Sequence, residues 1–231
     1  MQRRKFTSGV VSAGGLWALA TWPSADAAGI TESDAALGVR AALERGATAA
    51  VSLLGKSGGF LDNPKVRIPL PGFLNEAAKV LKYTGQQKRI DELVTAMNRA
   101  AEAAVPQAKA LLVNAVKAMS VEDGKQILTG GDNAVTDFFA GKTRAPLSVT
   151  FLPIVTRATE KVALADKYNT VAGKAAGLGL LKKDDANIQQ YVTSKALDGL
   201  YLMIGEEERK IRRDPVGTGS AILQKVFGSL R

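Results

Sequence analysis

Apolar residues recur at helical spacing through most of the chain, and the pattern is strongest between residues 184 and 214. Two adjoining stripes run along this stretch: Ile188, Tyr191, Val192 and Lys195, then Leu197, Leu200, Tyr201, Ile204 and Ile211. A helix that is apolar around so much of its circumference is normally enclosed by other helices. The pattern therefore predicts a long central helix over about 184–214, which Asp184 or Asp185 would cap at its start.

The same spacing predicts several helices around the central one. We expect them over residues 31–54, 73–83, 86–105, 108–119, 121–128, 132–139, 146–168 and 220–227. Pro106 is expected to kink or restart the chain between two of them, and Gly141 to end the helix through Phe139. Ser120 and Asp123 have the spacing of a capping box. The fold class expected is all-α, a single-domain multi-helix bundle around the central helix.

One segment departs from this pattern. Val66, Ile68 and Leu70 alternate with other residues, which is typical of extended backbone, while three prolines at 64, 69 and 71 exclude a central strand. We therefore expect a short extended segment near 64–71. It is either a lid over a binding site or, as the apolar alternation favours, a segment clamped across the helical core.

The first 27 residues have the features of an export signal. Arg3, Arg4 and Lys5 precede a short apolar run at 10–20, and a small-x-small site predicts cleavage after Ala27. The run is too short to remain as a membrane anchor, which needs about 20 residues. The twin arginines followed by Phe6 resemble a twin-arginine signal. We expect a periplasmic protein whose domain comprises residues 28–231.

Composition excludes several kinds of chemistry. The chain has no histidine and no cysteine, which removes Ser-His and Cys-His nucleophiles, the usual zinc sites and a lipid-modified cysteine. Loss of the signal removes three positive residues and one negative, which lowers the formal charge from +9 to +7. A positive chain favours anionic partners. No basic stretch rich in aromatic residues predicts nucleic-acid binding, and no cofactor or metal site is indicated.

Several sequence blocks, in order along the chain, resemble a bacterial family known as domain of unknown function 4197. They are Gly59-Phe60 with residues 66–71 (VRIPLP), 97–102 (MNRAAE), 127–132 (ILTGGD) with Thr136 and Phe138-Phe139, 151–153 (FLP), 191–199 (YVTSKALDG), and 211–215 (IRRDP) with 226–228 (VFG). The resemblance implies an exported, mainly helical envelope protein. It implies no activity. Some relatives appear as lipoproteins, which this cysteine-free chain cannot be.

Two groups of polar residues are candidate sites. One lies in the first half of the chain and the other near its centre. Asn98 and Glu102 lie on one side of a predicted helix, with Arg99 expected on the opposite face. Glu102 would be a general base or cation ligand oriented by Asn98, or the pair would form helix-edge hydrogen bonds. Asp132 with Thr136 could bind a cation or polarise a water, although Asp132 also suits a helix cap.

Two further pairs lie on the central helix. Tyr191 and Lys195 share a face and could perform acid–base work if the lysine were desolvated, although a lysine stem more often lies along apolar surface. Glu208 and Arg212 are spaced for an ion pair, which would be a structural latch if buried.

These features support two functional hypotheses. The favoured one is a non-catalytic envelope protein that binds a lipid or other amphiphile, or docks on a membrane partner or an anionic membrane surface. The alternative is a hydrolase that uses Glu102 and Asp132 on an envelope glycan, which requires the two carboxyl groups to lie roughly 5–9.5 Å apart. The missing histidine and cysteine favour binding over catalysis.

Overall fold

Helices account for most of the described chain. The computed structural model describes residues 32–72, 74, 85, 87–131, 134–177, 186–214, 216–217 and 220–221, and no strand occurs among them. The α-helices are α1 (Glu32–Leu54), α2 (Gln87–Ala104), α3 (Ala108–Lys117), α4 (Val121–Thr129), α5 (Ala134–Thr159), α6 (Ala163–Gly177) and α7 (Ile188–Arg213). The all-α prediction is confirmed.

The long helix α7 is the centre of the bundle, as its two apolar stripes predicted. Fifteen of its 26 residues are buried, and it packs against α1, α2, α5 and α6. Its start differs from the prediction of about 184. Asn187 is the N-cap, and its Oδ1 accepts hydrogen bonds from the N–H groups of Gln189 (2.9 Å) and Gln190 (3.1 Å). The helix therefore begins at Ile188 and ends at Arg213, with three basic residues in its last turn, where they complement the helix dipole.

The predicted extended segment belongs to a longer non-helical strap, residues 55–71, which crosses the surface of α2 and α7. It starts with turns and has no ladder partner among the described residues, so it is neither a central nor an edge strand. Phe60, Val66 and Ile68 are buried in the core. A Cβ at Gly199 of α7 would lie 2.9 Å from the Phe60 ring. The strap thus approaches α7 so closely that only glycine fits at this position.

Helix α5 corrects two predicted boundaries. The chain does not stop at Gly141 and restart at Pro146, because one helix runs through Gly141, Pro146 and Pro153 to Thr159. Its buried residues recur at every fourth position from Val135 to Thr159, so both prolines face outward. The carbonyl that each proline leaves without a helical donor also lies on the outer side, where water can bond it. The single helix predicted over 146–168 is also wrong, because a turn at 160–162 interrupts it and separates α5 from α6.

Two local predictions are confirmed. A 3₁₀ turn over Val105–Gln107 contains Pro106 and joins α2 to α3. The capping box at α4 is complete, since Ser120 Oγ accepts from the Asp123 N–H (3.0 Å) and Asp123 Oδ2 accepts from the Ser120 N–H (2.9 Å). The predicted signal segment, the caps Asp184 and Asp185, and nearly all of the helices at 73–83 and 220–227 lie outside the described residues.

Candidate functional site

A surface groove lies between α5 and α7. The two helices are antiparallel, because Thr136 Oγ1 near the start of α5 lies 3.4 Å from the Tyr201 carbonyl, and Thr159 Oγ1 at its end lies 3.2 Å from Gln189 Nε2. Between these contacts a groove of about 560 Å³ lies on the surface where the two helices meet. Its lining residues are Arg144, Ser148, Val149, Leu152, Gln190, Thr193 and Ser194.

The groove contains a buried hydroxyl group that is not satisfied. Thr193 is only 4% exposed, and its Oγ1 has no hydrogen-bond partner within the described part of the chain. Other helical threonines donate to the carbonyl four residues earlier, as Thr143 and Thr159 do to Phe139 (2.6 Å) and Val155 (2.9 Å). A buried hydroxyl without a partner is unfavourable by roughly 1–3 kcal/mol. Thr193 Oγ1 is therefore an unsatisfied polar atom buried beneath the surface of the groove.

The opposite wall of the groove is apolar and open to solvent. Val149 is 75% exposed and Leu152 is 36% exposed, although both are large hydrophobic residues. Residues 145–156 of α5 contain no charged residue. An exposed apolar wall next to a few polar groups is the common composition of a site for a small amphipathic molecule.

Arg144 lines one end of the groove, and together with its charged neighbours on α7 it gives this region an excess of positive charge. Arg144 pairs with Asp198, and its guanidinium carbon lies 5.7 Å from the centre of the Tyr201 ring. Lys195 Nζ lies 3.7 Å from the other Asp198 oxygen. One carboxylate therefore lies between two cations that are each about half exposed, and the local charge favours an anion.

The side chains of Tyr191 and Lys195 lie close together, as predicted, but the tyrosine hydroxyl group already makes a hydrogen bond. Lys195 Nζ is 5.9 Å from the centre of the Tyr191 ring, a cation–π contact. The Tyr191 hydroxyl donates to the Pro69 carbonyl at 3.2 Å and so holds the strap on α7. The ammonium group is about half exposed, so the desolvation required for acid–base work is absent at this position.

Asn98 and Glu102 also hold the strap. The Asn98 amide accepts from the Ile68 N–H at 2.8 Å and donates to the Ile68 carbonyl at 3.0 Å. Glu102 Oε1 accepts from the N–H groups of Phe60 (3.1 Å) and Leu61 (3.0 Å). The two side chains therefore satisfy backbone groups that the strap, which has no ladder, would otherwise leave unpaired.

The prediction that Arg99 lies on the opposite face is wrong. Its Nη1 donates to Glu102 Oε2 at 2.6 Å and to Ser57 Oγ at 2.8 Å, since residues three apart are neighbours on the surface of a helix. Burial raises the pKa of Glu102, but the hydrogen bonds from Leu61, Arg99 and Phe60 outweigh burial and hold the pKa below its ordinary value. A carboxylate with both oxygens bonded and a lowered pKa is a poor general base.

Three other predicted residues, Thr136, Glu208 and Arg212, do not line the groove. Asp132 lies outside the described residues. Thr136 Oγ1 contacts α7, where a Cβ at Gly205 would lie only 2.7 Å away. Glu208 is buried and accepts from Arg212 Nε at 2.6 Å, and Arg212 Nη2 also donates to the Ile127 carbonyl at 2.8 Å. This pair links α7 to α4.

The groove itself was not predicted, and only one sequence signal could have indicated it. Ser148, Thr193 and Ser194 are unremarkable until the register between α5 and α7 is known. The charge-free stretch 145–156 does place Val149 and Leu152 three residues apart, beside outward prolines.

Within the described ranges no cluster of three or more acidic side chains could hold a metal ion. None of the described helices combines the length and the apolar character needed to cross a bilayer.

Comparison with known proteins gives one match. The model of a family described as "Protein of unknown function (DUF4197)" matches residues 29–228. No curated protein and no solved structure matches the chain.

Proposed function

The chain belongs to the DUF4197 family of proteins of unknown function, and from its groove we propose that it is a non-catalytic binding protein for a single-chain anionic amphiphile. The observation that carries this proposal is the groove between α5 and α7. It combines an exposed apolar wall, a buried hydroxyl group without a partner and a rim with excess positive charge.

The apolar wall supports binding of a hydrocarbon chain. Val149 and Leu152 expose apolar surface to water, and covering it is favourable. Full burial of one valine or leucine side chain contributes about 1.5–3 kcal/mol. A volume of about 560 Å³ is within the range of sites for small organic ligands, which suits one acyl chain better than a complete phospholipid.

The polar groups support an acidic head group. Ser148 and Ser194 line the groove and offer two hydroxyl groups that can donate to an oxygen atom of a ligand. Arg144 and Lys195 share one carboxylate, Asp198. Asp198 neutralises only one of these two positive charges, and a carboxylate or phosphate of the ligand would neutralise the other.

The residues described favour binding over hydrolysis. Glu102, the carboxylate nominated for catalysis, serves as an acceptor for the strap and for Arg99. The chain has no histidine or cysteine to replace it. We further propose, from the signal-like start of the sequence, that binding takes place in the periplasm after export.

The test is titration with a fluorescent C16 fatty acid probe. We expect saturable one-to-one binding, and Val149→Asp should weaken it by about tenfold or more, since a charge would replace part of the apolar wall. The matched control is Val121→Asp, because Val121 is also an exposed valine on a helix but lies outside the groove. Ser194→Ala, which removes a hydroxyl group from the lining of the groove, should weaken binding by several fold. Equal affinity in the Val149→Asp and Val121→Asp variants, or absence of saturation, would refute the proposal.

A further inference from the structure

The outward face of α5 carries a continuous apolar stripe that the bundle does not cover. Ala145, Pro146, Val149, Leu152 and Pro153 are all exposed and recur at spacings of three or four residues. We call this set the outer stripe. Apolar residues that are exposed singly are common, but a contiguous row of five indicates a contact surface.

Along the outer stripe, α5 itself carries basic residues and no acidic residue. The carboxylates near these cations come from neighbouring helices: Asp123 Oδ1 lies 3.9 Å from Lys142 Nζ, and Asp198 pairs with Arg144. Between Asp137 and Glu160 the sequence contains three basic residues and no acidic residue. Lys142 and Arg157 share the helical phase of the stripe and flank it at its two ends. They are 15 residues apart, or about 22 Å along the helix. Arg144 lies nearby at the rim of the groove. A partner with negative charge is therefore complementary to this face.

The prolines determine how deep such a contact can be. Because Pro146 and Pro153 have no N–H group, the carbonyls of Lys142 and Val149 lack their helical donors, and these carbonyls lie on the outer side. An unpaired carbonyl is strongly unfavourable in hydrocarbon but not among water and lipid head groups. The face therefore suits the interfacial layer of a bilayer, where apolar side chains insert shallowly and basic ones meet lipid phosphates.

From this stripe and its charges we propose that α5 docks its outer face on an anionic lipid bilayer. This proposal depends on the outside of α5 and does not require a ligand in the groove. Val149 and Leu152 belong to both the stripe and the groove wall, so a docked molecule would present the groove mouth to the lipid layer.

The test is co-sedimentation of the protein, as its host produces it, with phosphatidylcholine vesicles that contain or lack phosphatidylglycerol. Each basic residue near an anionic surface contributes roughly a fivefold change in partitioning. The double variant Lys142→Gln/Arg157→Gln should therefore bind phosphatidylglycerol vesicles about 25-fold more weakly than wild type. The matched control is Lys109→Gln/Lys117→Gln on α3, which removes the same charge from two exposed lysines elsewhere.

We expect the control variant to retain most of its binding, and vesicles of phosphatidylcholine alone to bind weakly. Equal losses in the two double variants would overturn the proposal, because they would show attraction by net charge rather than by this face. Equal binding to both vesicle types would also overturn it. Ser194→Ala, which changes the groove and not the outer stripe, should leave vesicle binding unchanged, so the bilayer proposal and the groove proposal can fail separately.

Discussion

Replacing Asn98 with alanine should release the strap from the bundle. Asn98 is fully buried and makes two hydrogen bonds to Ile68 and one from its Nδ2 to the Val94 carbonyl at 2.8 Å. Ile68 is itself 1% exposed, so its N–H and C=O groups would be left without partners. Each unsatisfied buried group costs about 1–3 kcal/mol. We therefore expect a loss of about 3–5 kcal/mol in the free energy of unfolding, including a small cavity.

The assay is urea denaturation followed by circular dichroism, with Asn98→Leu as a second variant that preserves most of the volume. A similar loss in both variants would assign the effect to hydrogen bonds rather than to the cavity. The control is Asn114→Ala, an exposed asparagine on α3, which should change stability by less than about 0.5 kcal/mol. Hydrogen exchange at the Ile68 amide should also accelerate. Stability within about 1 kcal/mol of wild type, with no change in that exchange rate, would refute the role of Asn98.

Three further predictions follow from buried contacts. Because the pKa of Glu102 is lowered, the stability that its carboxylate contributes is fully present above pH 4.5, the ordinary pKa, and is lost as the pH falls through the lowered pKa. The stability difference between wild type and Glu102→Gln should therefore shrink in acid denaturation curves below pH 4.5. Gly199→Ala should destabilise the protein by about 1–3 kcal/mol through its close approach to the strap, whereas Gly141→Ala, on the exposed side of α5, should stabilise it by about 1 kcal/mol. Burial raises the pKa of Tyr201, despite its hydrogen bond with Thr143 at 2.9 Å, so Tyr201→Phe should remove one late-titrating phenol from the ultraviolet titration and cost about 1 kcal/mol.

Each of these predictions has an opposing result. A stability difference for Glu102→Gln that is constant between pH 3 and pH 7 would show that the carboxylate charge is irrelevant. Equal effects of the two glycine substitutions would show that the strap yields easily at Gly199. Loss of an early-titrating phenol in Tyr201→Phe would show that this hydroxyl group is accessible to water.

The central helix could be predicted because its pattern is local and long. Its two apolar stripes required no knowledge of its neighbours, and burial of residues from Ile188 to Ile211 agrees with them. Its start was misplaced because aspartate and asparagine are about equally good caps. Three such residues lie close together at 184, 185 and 187, and only the observed backbone shows that Asn187 accepts the capping bonds.

The prediction wrongly divided α5 into two helices because it relied on the low helix propensities of glycine and proline. Tertiary packing overrides those propensities here. The buried side chains recur at every fourth residue throughout α5 and hold it against α7 and α2. Pro146 and Pro153 fall between them on the outer side, where the missing hydrogen bonds are least unfavourable. A rule that considers each proline by itself could not detect this. What matters is the position of the prolines relative to the buried side chains on the opposite face of the helix.

The candidate site could be predicted only in part. The sequence placed Asn98 and Glu102 on one side of a helix, but not their partners, which lie 30 and about 42 residues earlier in the chain. The groove depends on which α5 residues face which α7 residues. Its defining features, an exposed apolar wall next to serine hydroxyl groups and a buried Thr193 hydroxyl group without a partner, arise only from that non-local register.

The proposed binding function is tested most directly by native mass spectrometry of the protein purified from the host that makes it. We predict a reproducible added mass of one single-chain amphiphile, lost on denaturation and absent from the Val149→Asp variant but present in Val121→Asp. A bare protein mass in wild type, or an added mass that both variants retain, would contradict a ligand site in the groove between α5 and α7.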